Sequence, residues 1–369
     1  MAVSLVSTGV TFPDNSTQTT AATGFGFKNR IINGAMVIDQ RNAGASVTPA
    51  TPAYTLDRWK TELSQSSKFS VQQSSTAPTG FSNSLLVTST SAYSVLTGDY
   101  FLLRYNIEGF NTADFGFGTA SAASITVSFW VRSSLTGAFG ASIQNAVTDR
   151  SYPFSYTINA ANTWEQKSVT IAGDTTGTWV GATNGVGLRL EISLGVGATY
   201  SGAANAWAGA NYFQPTGSTS VVGTNGATFF ITGVQLEKGS TATSFDYRPY
   251  GTELSLCQRY YIKINNPSGY NAHYGPLVGA YTSIRSLGVP YCLPVPMRVN
   301  GANFVIAFSN VSLYAINLSA SYAVTSIGPW SGDFTTPSID IGVASGLTAG
   351  TSYILTILAN GFISYSAEL

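Results

Sequence analysis

Apolar and polar residues alternate in short runs along most of this chain, the period-two signature of strands with one buried face. The clearest run is Ile125-Thr126-Val127-Ser128-Phe129-Trp130-Val131-Arg132, which sets Ile125, Val127, Phe129 and Val131 on one side. Leu188, Leu190, Ile192 and Leu194 alternate in the same way with Gly187, Arg189, Glu191 and Ser193. Residues 31–38, 164–171 and 228–237 read as further strands, with a turn over 173–179. Gly, Asn and Pro punctuate these runs, and helical spacing is missing. Residues 28–250 therefore predict one jelly-roll β-sandwich, with its longest loops between Gly181 and Gly226.

One segment breaks the pattern. Within residues 251–263, Leu254, Cys257 and Tyr261 fall at the i, i+3, i+7 spacing of a helix face, just after the turn signals Arg248-Pro249-Tyr250-Gly251. This predicts a short helical connector at a domain boundary. Residues 264–369 return to strand patterning in 304–308, 311–316, 353–358 and 362–365, and strand character runs on to Leu369. Asn360-Gly361 is a favoured hairpin dipeptide. Residues 1–27 form a Thr-rich arm in which Val10 and Phe12 alternate with polar neighbours and Pro13-Asp14-Asn15 is turn chemistry. The arm is too short to bury a core, so it stays flexible or orders against another chain. The expected fold class is all-β: an N-terminal extended arm, a jelly-roll β-sandwich, a short helical connector and a small C-terminal β-sandwich.

Composition changes this picture in one respect. Only 9% of the 369 residues are charged and 44% are hydrophobic, with 20 Tyr and 20 Phe. Solubility must come from hydroxyls and amides, which suits subunits that cover one another in a homo-oligomer. The net charge is zero and no basic run appears, which argues against nucleic acid as a partner. No apolar run reaches the ~20 residues that span a bilayer, and no secretory signal pattern opens the sequence, so membrane insertion is not expected. The two cysteines, Cys257 and Cys292, suit neither a disulfide framework nor a metal motif and read as buried or unpaired thiols.

The residues offer little catalytic chemistry. The single histidine, His273, has no nucleophile elbow near it and reads as a loop or surface residue. Neither Gly24-Phe25-Gly26-Phe27 nor Gly116-Phe117-Gly118 leads into the Lys-Ser/Thr start of a phosphate loop. Paired carboxylates for glycoside hydrolysis could draw on Asp39, Asp57, Glu108, Asp114, Glu191 or Asp246, but each also reads as a turn cap or an Arg partner, as Asp57 with Arg58 or Arg41. No catalytic residue and no cofactor are assigned. Oxygen-rich loops could hold Ca²⁺, without diagnostic spacing, which leaves the metal question open. Sugar stacking is better supported. Residues 200–213 mix Tyr200, Trp207 and Tyr212 with small residues and amides, a composition that can present rings to a glycan. On the sequence alone, packing in the core or at a subunit contact outweighs that reading. Tyr270, Tyr274 and Tyr281 form a weaker cluster of the same kind.

Several segments resemble structural proteins of tailed phages. Residues 10–21, Val10-Thr11-Phe12-Pro13-Asp14-Asn15-Ser16-Thr17-Gln18-Thr19-Thr20-Ala21, are similar to a short element of tail-fibre and appendage proteins, with Asn15 where those have Gly. Asn29-Arg30-Ile31-Ile32-Asn33-Gly34-Ala35-Met36, Asp39-Gln40-Arg41 and Tyr54-Thr55-Leu56-Asp57-Arg58-Trp59 resemble the opening of a jelly-roll module of cyanophage virion proteins. Residues 234–248 resemble its closing strand, and 253–261 the helical connector that follows. The resemblance implies a virion fibre or spike, trimeric, assembled in the host cytoplasm and extracellular on the mature particle. It would attach to other virion proteins through the arm at Val10, Phe12 and Pro13 and recognise host surface polysaccharide. A head decoration or tail/neck structural protein without receptor binding is the alternative. A polysaccharide-degrading spike is disfavoured by the scarcity of acids and the lack of a β-helix repeat.

Overall fold

The computed structural model describes residues 27–266 throughout and, of residues 1–26, only the backbone of three short strands. Beyond 266 it describes 272–280, 282, 285–287, 293–299, 303, 305–315, 320–332, 337–349 and 351–369. The arm's strands, β1 (Ser4–Val6), β2 (Gly9–Thr11) and β3 (Thr17–Gln18), pair as an antiparallel β1-β2-β3 sheet.

Residues 53–238 supply the sandwich. Its strands begin with β4 (Ala53–Leu56), β5 (Trp59–Leu63), β6 (Phe69–Ser74), β7 (Ser84–Ser89), β8 (Tyr100–Glu108) and β9 (Ile125–Ser133). They continue with β10 (Gly137–Gln144), β11 (Ser151–Ile158), β12 (Glu165–Ile171) and β13 (Val186–Val196). The short β14 (Ser201–Gly202) and β15 (Gln214–Pro215) pair with each other, and β16 (Thr228–Lys238) closes the series. One sheet runs β11-β10-β13-β8-β5-β4 and the other β12-β9-β16-β7-β6. The alternating faces meet between them. Phe101, Leu103, Tyr105, Leu188, Leu190 and Ile192 from the first sheet and Ile125, Val127, Phe129, Val131, Phe229 and Ile231 from the second are all buried in one core. Each large apolar side chain buried there contributes about 1.5–3 kcal/mol.

Two expectations for this domain need correction. Residues 31–38 are a buried turn, not a strand: Asn33 and Met36 both have φ of 59°. The Asn33 side chain replaces a ladder, accepting from Ile38 N (2.9 Å) and donating to the carbonyls of Ile38 (2.8 Å) and Asp57 (3.0 Å). The helix, α1 (Tyr250–Gln258), is shorter than expected. Tyr261 opens strand β17 (Tyr261–Asn265), which pairs with Ser366. Cys257 is buried on the helix as a free thiol, and burial pushes its pKa well up, away from the thiolate form. Cys292 lies outside the described residues.

The opening and closing segments of the domain hold each other. Asn29 donates to Val234 O (3.0 Å) and accepts from Leu236 N (3.1 Å), while Arg30 N donates to Leu236 O (2.8 Å). Gly34 passes so close to Val234 that a Cβ there would overlap the Val234 carbonyl oxygen. Arg248 then donates to the carbonyls of Asn29 and Ile31 and pairs with Glu253 (3.2 Å) on α1.

The C-terminal module comprises β17, β18 (Ala272–Ala280), β19 (Arg285–Leu287), β20 (Val305–Ala315), β21 (Ala320–Gly332), β22 (Pro337–Val343) and β23 (Ser352–Ser366). It makes its two layers from one sheet rather than from two. The order β23-β18-β19-β22-β21-β20 closes because β20 also pairs with β23, and β17 adds to the far half of β23. Closure pairs both long sides of the six strands β23, β18, β19, β22, β21 and β20, and β17 is left with β23 as its one described partner. The hairpin expected at Asn360-Gly361 does not form. Residues on both sides of it pair with β20, Phe362 with Ser309 and Ile357 with Val311. Asn360 (φ 60°) and Asn310 (φ 53°) instead make a bulge, tied by Asn310 Nδ2 to Ala359 O at 2.7 Å. Buried Leu313, Ile341, Tyr353, Ile357 and Ile363 form a second core.

Candidate functional site

Alternation along the six-stranded sheet sends the residues between the core positions to its outer face. There the register sets Arg104 of β8 opposite Glu191 of β13 and Lys60 of β5. It sets Arg189 opposite Asn106 and Gln144. Arg104 joins two carboxylates, Nε to Glu191 Oε1 at 2.6 Å and Nη1 to Glu62 Oε1 at 2.8 Å, and Lys60 also reaches Glu62 at 2.8 Å. Glu191 is 0% exposed. Burial pushes its carboxyl up to about 7, against the pull of Arg104. In a chain with 9% charged residues, five charges on one patch of sheet stand out.

A loop over 197–216 covers half of this face. Gln214 accepts from Ser193 Oγ (2.5 Å) and donates to Val196 O (2.9 Å). Gln144 Nε2 donates to Asn211 Oδ1 and to Tyr212 O, both at 2.9 Å. The loop lies this close because residue 140 is glycine: a Cβ there would stand 2.6 Å from Gln214 Cβ. The other half stays open as a depression of about 210 Å³. Its floor is Glu62, Arg104 and Arg189, and Asn211 and Thr148 line it as well. Tyr100, Tyr200 and Phe213 wall it, with ring centroids 5.0–5.5 Å apart. Leu102 and Val196 support these rings from below. Two buried acceptors on this face, Glu191 Oε2 and Gln144 Oε1, have no partner among the described residues, and neither has buried Arg189 Nε.

The three aromatics singled out in the sequence do not form one platform. Tyr200 lines the depression. Trp207 packs instead against Tyr152, Phe117 and Trp179, with Nε1 bonded to Ala172 O at 2.8 Å. The Tyr212 ring lies on the Gly202 backbone. Tyr270 and Tyr281 lie outside the described residues, as do Phe12 and Pro13; Val10 sits in β2 and His273 and Tyr274 in strand β18. The candidate acids are dispersed and engaged. Asp39 caps the Asn42–Gly44 turn, Glu108 pairs with Arg259 (2.7 Å), Asp114 pairs with Arg30 (3.0 Å) and Asp246 accepts from Asn29 N (3.2 Å). Asp57 bonds Gln40 N (2.7 Å) rather than Arg58, whose partner is Glu368. Of the site's residues, the sequence pointed to Tyr200 and Glu191 and, within the stretch 200–213, took in Asn211 and Phe213; it missed Glu62, Tyr100 and Arg104. The one available signal was Arg189 and Glu191 alternating with leucines in a chain that spends few charges.

A second depression, about 250 Å³, lies between Gly34, Phe81, Phe245, Tyr247 and Arg248 at the join of the domain's opening and closing segments. Most of its polar groups already bond those segments together.

The molecule is thus a jelly-roll sandwich with an aromatic-walled, charge-floored depression on one outer face, joined to a closed β-module. No family model matches the sequence, and no curated protein matches it significantly. Solved structures similar to it include the enzymatically active domain of tailspike protein 4 of bacteriophage CBA120. That domain is 12% identical with a TM-score of 0.31, over 57% of this chain and 21% of that one, so the match spans about a fifth of that domain. The family 11 carbohydrate-binding module of Clostridium thermocellum, solved with a mixed-linked tetrasaccharide, is 12% identical with a TM-score of 0.27, over 52% of this chain and 91% of that one. The C-terminal family 22 carbohydrate-binding module of Clostridium thermocellum Xyn10B is 12% identical with a TM-score of 0.28, over 55% and 99%.

Proposed function

We propose that this chain is a non-catalytic subunit of a phage appendage, a fibre or spike, which recognises a surface glycan in the depression beside Tyr200. The observation that carries the binding role is the pairing of ring walls with a hydrogen-bonding floor. Tyr100, Tyr200 and Phe213 offer apolar faces to a sugar ring. Asn211, Thr148 and Arg189 line the depression and offer groups to its hydroxyls. The appendage role is supported by the resemblance of residues 10–21, 29–36, 39–41, 54–59, 234–248 and 253–261 to virion proteins. In this reading the arm attaches to the particle, the chain assembles as a homotrimer, and the depression faces outward.

Tyr200→Ala tests the site. It removes a wall ring that is only partly buried, so the fold should hold while glycan affinity falls at least about tenfold. Calorimetry of the wild-type and variant chains with host surface polysaccharide reads this directly. Unchanged affinity would place the site elsewhere. Deleting residues 1–27 should abolish incorporation into particles, and truncated chain recovered on particles would remove the attachment role of the arm.

A further inference from the structure

Arg189 differs from the other arginines whose side chains are described. Several of those leave a buried Nε without a partner, as Arg30, Arg41, Arg58 and Arg248 do. Each of these still commits a terminal nitrogen to a carboxylate: Arg30 to Asp114, Arg41 and Arg58 to Glu368, Arg248 to Glu253. Arg104, Arg150 and Arg259 are paired in the same way, while Arg132 and Arg298 bond backbone carbonyls. The Arg189 side chain makes no hydrogen bond and no ion pair to any described residue, although it lies on the floor of a walled depression. A guanidinium has five donors in a planar fork and stays charged at any working pH. A partly buried fork with no partner is a site awaiting an acceptor.

The local charge balance favours an anion as that acceptor. Both carboxylates of the patch, Glu62 and Glu191, are already held by Arg104, and Lys60 shares Glu62. The three cations Lys60, Arg104 and Arg189 therefore face two carboxylates, in a chain whose net charge is zero. Asp149, next to the lining residue Thr148, accepts a hydrogen bond from Asn145 (2.6 Å) and is not turned over to Arg189. The acceptor must also fit beside rings. A sugar carrying a carboxylate meets both demands, because its ring packs on Tyr100, Tyr200 or Phe213 while its carboxylate meets the fork.

We propose that the ligand is an acidic glycan, and that Arg189 is its specificity-determining residue through a bidentate contact with a sugar carboxylate. The inference rests on the glycan-binding reading above. A uronate polymer therefore separates the two, used both intact and after chemical reduction of its carboxyl groups to alcohols, with the full chain titrated in each by calorimetry. The wild type should bind intact alginate about 10- to 100-fold more tightly than carboxyl-reduced alginate, the range expected for a charge-assisted bidentate contact. Arg189→Gln should lower affinity for the intact polymer about 10- to 100-fold and affinity for the reduced polymer far less, so that the preference between the two is lost. Arg189→Lys should fall between, because it keeps the charge and loses the fork. Equal wild-type affinity for the two polymers, with both lost in Tyr200→Ala, would overturn the acidic preference and leave the glycan site standing. Binding of neither polymer would overturn the acidic ligand. Binding that is indifferent to Tyr200→Ala would overturn the site itself. Thermal melts of each variant check the fold, which should not move because the Arg189 side chain holds no described residue.

Discussion

Two clusters of buried charge lie along the same six-stranded sheet, and they are used oppositely. At the β4–β5 turn, Arg58 is fully buried and reaches Glu368 and Asn106 O (2.5 Å), with its guanidinium 3.5 Å from the Tyr260 ring centroid. Arg41 joins Glu368 at 2.7 Å, and Tyr54 and Asn106 both donate to Leu369 O. Arg298 donates to the carbonyls of Ala367 and Glu368. Residues far apart in the chain thus converge, and the C-terminal module is locked onto the sandwich. A few residues along the same strands, Arg104 draws its partners from adjacent strands only, and the Arg189 side chain is left over. Convergence of several segments consumes a buried charge in structure. Charge on one open sheet face, fed from one side, remains available to a ligand.

The sharpest way to break this contrast is to remove one charge from each cluster. Arg58→Ala leaves Glu368 buried with only Arg41 beside it, and breaking a buried pair in this way costs about 3–5 kcal/mol. The expected outcome is a large loss of stability in urea unfolding, with Glu368→Ala restoring part of it in a double-mutant cycle. Arg189→Gln should shift stability by less than about 0.5 kcal/mol, in the range of surface changes. Equal effects from the two would erase the distinction between a structural and an available arginine.

The two close-approach glycines sharpen it further. Gly34→Ala drives a Cβ into the Val234 carbonyl, backbone that closes the domain, and should cost about 1–3 kcal/mol of stability. Gly140→Ala presses on Gln214 and Pro215 in the covering loop, so its effect should appear first in ligand affinity and only weakly in the melt. The paired measurement is unfolding and glycan titration on both variants.

How much of this could be read in advance follows from which residues decide each feature. The inner faces of β9 and β13 were legible because four alternating apolar residues specify a half-buried strand without help from elsewhere. Residues 31–38 were not, because the hydrophobic residues there are buried by a turn that Asn33 builds with Asp57 and Ile38. Asn360-Gly361 announced left-handed backbone correctly, but pairing of both flanks with β20 turned a hairpin signal into a bulge. The site was the least legible part. Arg104 and Glu191 are 87 residues apart and meet only through the β8–β13 register. Trp207 and Tyr200 share one aromatic stretch, yet the loop's path sends them to different neighbours.

The comparison extends to one acid in each cluster. Burial raises both Asp57, beside the junction, and Glu191, under the open face, to about 7, against Arg41 and Gln40 in the first case and Arg104 in the second. In the unfolded chain these groups titrate near 3.8 and 4.5. Between those values and about pH 7 the folded chain holds more protons, so this part of its stability is full in acid and is lost as pH rises. Asp99 and Asp174 run the other way. Despite burial, hydrogen bonds from Tyr93 and Leu96 N lower the first, and Arg150 lowers the second. Their contribution is present above pH ~4 and is lost in stronger acid. Stability should therefore peak at about pH 4–5 and decline toward pH 8, read as midpoint temperature across that range. Glu191→Gln keeps the shape of the side chain and removes its titration, so it should flatten the decline without abolishing it. Asp57→Asn should remove the remainder. A wild-type melting temperature that climbs steadily from pH 5 to 8 would mean that Arg104, not burial, governs Glu191, and that both clusters hold their acids charged in the same way.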